Sequence, residues 1–427
     1  MSPLLPRRAL AGLNERLDAF RIVIVGGPRQ AGKTTLLRLL HQGRGGTFNT
    51  LDDATTLQTV RADPTGFAEF GASPRIIDEV QRGGDDLLIA IKRLVDLDDA
   101  AGQFVLSGST RFLTVPTLSE SLAGRAVFVD LWPLSAAERT RADIDAPALL
   151  FEPEALRALP LASVWKRADY FDLICAGGYP EAVRIGSARL RGDWFEGYVS
   201  TVVLRDVAAF ADIRRADLIP RLLRLIAART GSGLVMADFA RSLELNHATV
   251  RDYLGYLDIV YLTGNLPPWS TNLTSKLVKT PKSYVTDSGL AAALLGAEPG
   301  ALAQPGHELA GPLVETFVFT ELTRQLATSA VRAELSFFRD RDGREVDFLL
   351  ERRDGTVIGI EVKAAATVRD DAFKHLRWMK ERLGERFKAG YVIYLGDQLR
   401  PFGPDFTALP LSALWAGRQL LRSVGAS

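Results

Sequence analysis

The first third of the chain alternates two periodicities. Five short apolar runs stand out: RIVIV (Arg21–Val25), TFNTLDD from Thr47, PRIIDEVQ from Pro74, QFVLSGST from Gln103 and AVFVDLWPL from Ala126. Between them lie segments with apolar residues at helical spacing, such as Thr35–His41. A run apolar on both faces has to be covered on both faces, and intervening helices supply the crossovers that parallel pairing needs. The pattern predicts a doubly wound parallel α/β sheet with its ligand at the carboxyl ends of the strands.

From Ser135 to Asp212 the pattern is helical, with Trp and Leu at core spacing. The next stretch reads helix, turn, helix. Ala237–Leu243 is amphipathic, Asn246 is placed to cap a second helix over His247–Leu257, and Val250, Leu254 and Leu257 share one face of that helix. A two-stranded wing is expected to follow, as in a winged helix. Beyond Gly311, GPLVETFVFTELTRQL reads as a helix. LSFFRD, REVDFLL and VIGIEVK read as strands joined by turns at Gly343 and Gly355. DDAFKHLRWMKERLG is an amphipathic helix and AGYVIYLG a last strand. The expected divisions are residues 1–134, 135–212, 213–280 and 281–427.

Composition adds exclusions. The 427 residues are 47% hydrophobic and 24% charged with a formal net charge of +1, so a nucleic-acid surface has to be a local patch. One such excess exists: residues 213–282 hold ten Lys or Arg against five Asp or Glu. Its exposed helix start, His247, Thr249, Arg251 and Asp252, is a poor base-reading set, and packing is the competing role. Lys276, Lys279 and Lys282 form a basic run that reads as a solvated face or a phosphate-tracking surface. A single cysteine, Cys175, excludes an intramolecular disulfide and cysteine-pair zinc sites, and the four histidines lack ligand spacing. No apolar run reaches the roughly 18 residues of a membrane span, and the N-terminus has charges where a signal peptide needs an apolar core. A soluble cytoplasmic protein is expected.

The sharpest chemistry is GPRQAGKT, Gly27–Thr34, which fits G-x-x-x-x-G-K-[ST] between a strand and a helix. Gly27 and Gly32 let backbone N–H groups turn toward phosphate oxygens, and the helix N-terminus adds positive potential. Gly27, Pro28, Arg29, Gln30, Ala31, Gly32, Lys33, Thr34 and Thr35 are the expected nucleotide-binding residues. Lys33 would reach the terminal phosphates and the Thr34 hydroxyl would ligate Mg²⁺. Asp78 would hold Mg²⁺ through water, and Glu79 would polarise the attacking water. Ser107 and Ser109 could sense the terminal phosphate; Arg111 and Arg125 are candidate charge stabilisers, with solvated surface arginine the equal alternative. The expected cofactors are ATP and Mg²⁺.

In order, GPRQ-x-GKTTL, LDD, IIDEVQR, LSGS, LAGR and GGYPEAV resemble the bacterial and archaeal AAA-type ATPases with a C-terminal domain of unknown function. The likeness runs from about Arg21 to Leu395 and makes the 135–212 segment a helical lid. It also implies that the GGYP turn, Gly177–Pro180, packs on the adenine, so Pro180 joins the nucleotide-binding set. An oligomer with an arginine supplied by a neighbour stays open, as does action within one chain.

In the last third, helix, three strands, helix, strand resembles the core of the restriction-endonuclease-like nucleases. That family places one acid on a strand and (D/E)-x-K on the next, often with an acid on the first helix. Asp347, Glu361, Lys363 and Glu315 match, although Val346 stands where the family has proline. Strand period two puts Glu361 and Lys363 on one face and sends Val362 toward the core. The resemblance implies that Asp347 and Glu361 bind Mg²⁺ while Lys363 orients water and stabilises charge. The competing reading is an ion pair on an exposed edge strand. The function expected is an ATP-hydrolysing switch coupled to a nuclease-like, nucleic-acid-associated domain. The alternative is a regulatory switch whose C-terminal domain is a binding platform, with DNA, RNA and a protein partner all open.

Overall fold

The structure, a computed structural model, describes residues 5–111, 122, 124–158, 162–207, 215, 217–231, 233, 236–269 and 280–416. The chain divides into two units. One comprises residues 6–133 with 258–261; the other comprises chiefly 134–257 and 262–427. The divisions expected at 213 and 281 therefore fall inside the second unit.

The first unit is built on five parallel strands: β1 (Ile22–Gly26), β2 (Thr47–Thr50), β3 (Arg75–Asp78), β4 (Phe104–Gly108) and β5 (Ala126–Asp130). Their order is β2-β3-β4-β1-β5. Strand alternation sorts the core into two layers. Ile22, Ile24, Phe104 and Leu106 pack with Leu87 and Ile91 of the Gly84–Leu97 helix on one face. Val23, Val25 and Val105 pack with Leu36, Leu37 and Leu40 of the Lys33–Arg44 helix on the other. Each fully buried aliphatic side chain contributes about 1.5–3 kcal/mol, so both faces hold the sheet. Because β4 separates β1 from β3, the loop after β1 and the acid ending β3 are two strand spacings apart, roughly 10 Å. Side chains have to bridge that gap.

The second unit contains the helices Arg167–Ala176, Pro180–Arg184, Ala188–Thr201, Leu218–Ala228, Met236–Leu243 and His247–Ile259, the last ending in residues of the first unit. The expected cap forms: Asn246 Oδ1 accepts the Thr249 N–H at 2.8 Å. The inward face of the second helix is Val250, Tyr253 and Leu257, with Leu254 only half-buried. An antiparallel pair follows, β6 (Thr263–Leu266) with β7 (Lys282–Val285). Lys276 and Lys279 lie outside the described residues.

The same unit holds a six-stranded sheet in the order β12-β13-β11-β10-β9-β8. Its strands are β8 (Ala333–Arg339), β9 (Glu345–Arg352), β10 (Val357–Lys363), β11 (Phe387–Tyr394), β12 (Arg400–Pro401) and β13 (Phe406–Pro410). β8, β9 and β10 form an antiparallel meander, and β11 returns parallel to β10 after the Lys374–Leu383 helix. Val346, Leu349, Val357, Leu376, Phe387 and Val392 share the core between sheet and helix. The Ala310–Leu326 helix precedes the meander.

Two expectations are corrected here. β10 lies inside the sheet, between β9 and β11, so Glu361 and Lys363 are not on an edge strand. The burial is also reversed, because Glu361 is 6% exposed while Val362 is half-buried. The β9–β10 ladder ends at Phe348 opposite Ile360, and the acid-bearing end of β10 lies past it.

Candidate functional site

The phosphate loop is shaped by two glycines in backbone conformations that side chains rarely adopt. Gly27 has φ +154°, and a Cβ there would stand 2.2 Å from the Leu131 carbonyl oxygen. Gly32, φ +96°, turns the chain into the Lys33–Arg44 helix, whose first-turn N–H groups provide an anion site. Lys33 is buried, and its Nζ donates to the carbonyls of Gly27 at 2.9 Å and Pro28 at 3.0 Å, which holds the ammonium against its own loop. Thr35 is exposed in the first helical turn. Arg7, which the sequence did not single out, donates to the Ala31 carbonyl at 2.7 Å and braces the loop.

Thr34 and Asp78 span the strand gap: Thr34 Oγ1 donates to Asp78 Oδ2 at 2.6 Å. Ser107, fully buried on the intervening β4, donates to Asp78 Oδ1. Ser107 thus orients the aspartate and also accepts the Glu79 N–H at 3.4 Å. Glu79 itself adopts a left-handed backbone, φ 57°, which costs a non-glycine residue about 1–3 kcal/mol and recurs at functional sites. Gln81 Nε2 donates to Glu79 Oε2 at 2.5 Å, and Ser109 Oγ lies 3.5 Å from the same oxygen. The hydroxyl and carboxylate pair of Thr34 and Asp78 is an all-oxygen donor set, which suits a hard divalent cation.

One candidate lies elsewhere. Arg125 precedes β5, whose Ala126 is in register with Ile22 at the start of β1. That is the amino edge of the sheet, whereas the loop leaves the carboxyl edge, and Arg125 is spent on a two-pronged pair with Asp96. Arg111 pairs with Asp258 at 3.5 Å and stacks on Tyr261. Pro180 opens a helix after a turn locked from behind. Gly178 N–H donates to Asp287 Oδ2 at 2.7 Å, and a Cβ on Gly177 would stand 2.2 Å from Asp287 Oδ1. Asp287 caps its own helix through the Leu290 N–H and receives Arg324 at 2.8 Å.

The C-terminal candidates do converge, around an unexpected partner. Asp347 Oδ2 accepts the Val362 N–H at 2.9 Å, and Lys363 Nζ lies 3.2 Å from Glu361 Oε2. Lys282, 1% exposed, sends its ammonium to 2.7 Å from Glu345, 3.3 Å from Glu315 and 3.9 Å from Asp347. Tyr284, two residues along the same strand, donates to Glu315 at 2.6 Å. Period two on β7 was the available signal, masked by the basic run around it. Among the described residues, no group of three or more His, Cys, Asp or Glu is arranged to hold a metal ion.

Burial, then the nearby Glu315, pushes the Asp347 carboxyl up to about 6; burial, then Asp347, pushes Glu361 up to about 8. Lys282 is raised because the surrounding carboxylates outweigh the opposing effect of burial. Folded-state carboxyls raised above their unfolded values of 3.8 and 4.5 hold protons that unfolding releases. Their contribution to stability therefore falls as pH rises from about 4 to about 8. The melting temperature is expected to decline over that window in the native protein and to decline less in Glu361→Gln. Equal pH profiles for the two would refute it.

A family model described as "AAA domain" matches residues 19–140. Two models described as domains of unknown function, DUF8612 and DUF4143, match residues 167–301 and 310–414. With the loop, Asp78 and the parallel sheet, this makes residues 19–140 an AAA-type P-loop ATPase domain. The chain belongs to the same family as the uncharacterized proteins Rv2008c of Mycobacterium tuberculosis and Mb2031c of Mycobacterium bovis. Each is 31% identical to it over 95% of this chain and 83% of theirs. Among solved structures, a Walker-type ATPase of Pyrococcus abyssi is similar at TM-score 0.43 and 15% identity, covering 68% of this chain and 96% of that one. The Thermotoga maritima RuvB Holliday junction branch migration motor is similar at TM-score 0.30 and 17% identity, over 62% and 90% of the two chains. Among the described residues, no helix is long and apolar enough to cross a membrane.

Proposed function

We propose that the chain is a Mg²⁺-dependent ATP-hydrolysing switch coupled to a restriction-endonuclease-like domain that engages nucleic acid. The observation that carries the first half is the Thr34–Asp78 contact at 2.6 Å beside Glu79. Thr34 and Asp78 would hold Mg²⁺, which supplies charge neutralisation at the phosphates. The loop N–H groups and Lys33 bind and orient the triphosphate. Glu79, aimed by Gln81, orients water at its Oε2 and takes the proton as water attacks the terminal phosphorus, giving ADP and phosphate. Ser107 keeps Asp78 oriented.

For the second half, the element order from Ala310–Leu326 through β8, β9, β10 and the Lys374–Leu383 helix to β11 supports a nuclease-like core. The helix pair Met236–Leu243 and His247–Ile259, followed by the β6–β7 ribbon, supports the winged-helix reading. Part of the local basic excess is internally committed, which favours packing over base reading: Lys282 is buried, and Arg229 and Arg241 both pair with Asp238. A second reading, a C-terminal platform that holds a partner without cutting it, is favoured by the Lys282 ammonium among the carboxylates.

The test measures retention and cleavage of single- and double-stranded DNA and RNA with ATP, with ADP and without nucleotide. Retention that changes at least about tenfold between the ATP and ADP states is the expected result. No retention in any state would overturn the nucleic-acid role. Mg²⁺-dependent cleavage lost in Asp347→Ala would overturn the platform reading.

A further inference from the structure

We propose that Lys282 is the resident cation of the C-terminal carboxylate cluster, standing where a divalent ion would otherwise be held, so that this site is closed to metals in the native chain. The inference rests on reading Glu315, Asp347 and Glu361 as a nuclease-like set.

The cluster is assembled from separate elements. Glu315 comes from the Ala310–Leu326 helix, Glu345 and Asp347 from β9, and Glu361 from β10. Lys282 enters from β7, which belongs to the two-stranded pair and not to the six-stranded sheet. Its ammonium lies 2.7 Å from Glu345 Oε1 and 3.3 Å from Glu315 Oε1, with Asp347 Oδ1 at 3.9 Å. Three further oxygens of the set are turned to other donors: Asp347 Oδ2 to the Val362 N–H, Glu345 Oε2 to Arg339 at 3.4 Å, and Glu361 Oε2 to Lys363. Glu361 Oε1 is buried and finds no hydrogen-bond partner among the described residues.

Charge makes the same point. Glu315, Glu345, Asp347 and Glu361 face Lys282, Lys363 and Arg339, so the cluster already holds three cations against four carboxylates. A Mg²⁺ or Mn²⁺ ion needs oxygens at about 2.0–2.2 Å in near-octahedral array, and it would have to expel an ammonium covalently tied to β7. Removing the ammonium leaves the four carboxylates with only Lys363 and Arg339 as counter-charges, and a divalent ion then becomes the favoured occupant.

The experiment counts Mn²⁺ bound to the nucleotide-free full-length chain by calorimetry and by electron paramagnetic resonance. The native protein, Asp347→Asn, Lys282→Met and Lys282→Met/Asp347→Asn are compared. The native protein and Asp347→Asn are expected to bind equal numbers of ions. Lys282→Met is expected to bind one more per chain, at least about tenfold tighter than any native C-terminal binding, and Asp347→Asn to abolish the gain. A native ion lost in Asp347→Asn would overturn the proposal, as would a folded Lys282→Met with no additional ion. If Lys282→Met fails to fold, the native and Asp347→Asn comparison decides alone. Nucleic-acid retention in metal-free buffer is read in parallel, so failure of the nuclease-like reading is distinguishable from failure of the ion count.

Discussion

Replacing Glu79 by Gln is expected to lower ATP turnover by about 10²–10⁴-fold while leaving ATP affinity within about threefold of native. Glutamine keeps the size and the hydrogen bond to Ser109 but cannot accept a proton from water. The left-handed backbone at this position, φ 57°, and the short contact from Gln81 hold the carboxylate in one orientation, so the loss should be in the chemical step. Single-turnover measurement with ATP in excess of its Kd separates the two quantities. Lys33→Ala provides the contrast, since it should weaken ATP binding itself. Native single-turnover rates in Glu79→Gln would remove Glu79 from the reaction and leave the binding role of the loop standing.

The largest stability effect is expected in the second unit. Asp287 is 0% exposed and receives Gly178 N–H, Leu290 N–H and the Arg324 guanidinium. Arg324 is itself buried, and also donates to the Leu134 and Thr286 carbonyls. Removing one partner of a buried pair strands the other, at a cost of about 3–5 kcal/mol. Asp287→Ala should therefore lower Tm by at least about 6 °C. Asp287→Asn, which keeps an acceptor for the two N–H groups, should lower it less. An Asp287→Ala protein with native Tm would mean that the turn at Gly177 and Gly178 does not depend on this carboxylate.

The phosphate loop, Asp78 and Glu79 were legible because their chemistry is contiguous. A strand, two glycines, Lys-Thr and a helix lie within a single stretch, and the acids end an apolar run. The pairing of Glu361 with Lys363 was legible for the same reason, since period two acts over adjacent residues. Ser107 was picked out as a phosphate sensor, yet it acts on Asp78, because β4 inserts between β1 and β3. Strand order is not written in any one strand. Arg125 was misplaced because a residue before a strand and a residue after one lie on opposite edges of a parallel sheet.

Lys282 is the plainest case. Its sequence neighbours made it look solvated, and its partner Glu315 is 33 residues away. Local periodicity and motif spacing were enough for the element order, the parallel sheet and the nucleotide loop, because those depend on residues a few positions apart. Which charges meet, and which are removed from water, was decided by the tertiary structure. Coulomb energies and desolvation depend on distance and burial in space, and neither follows from position along the chain.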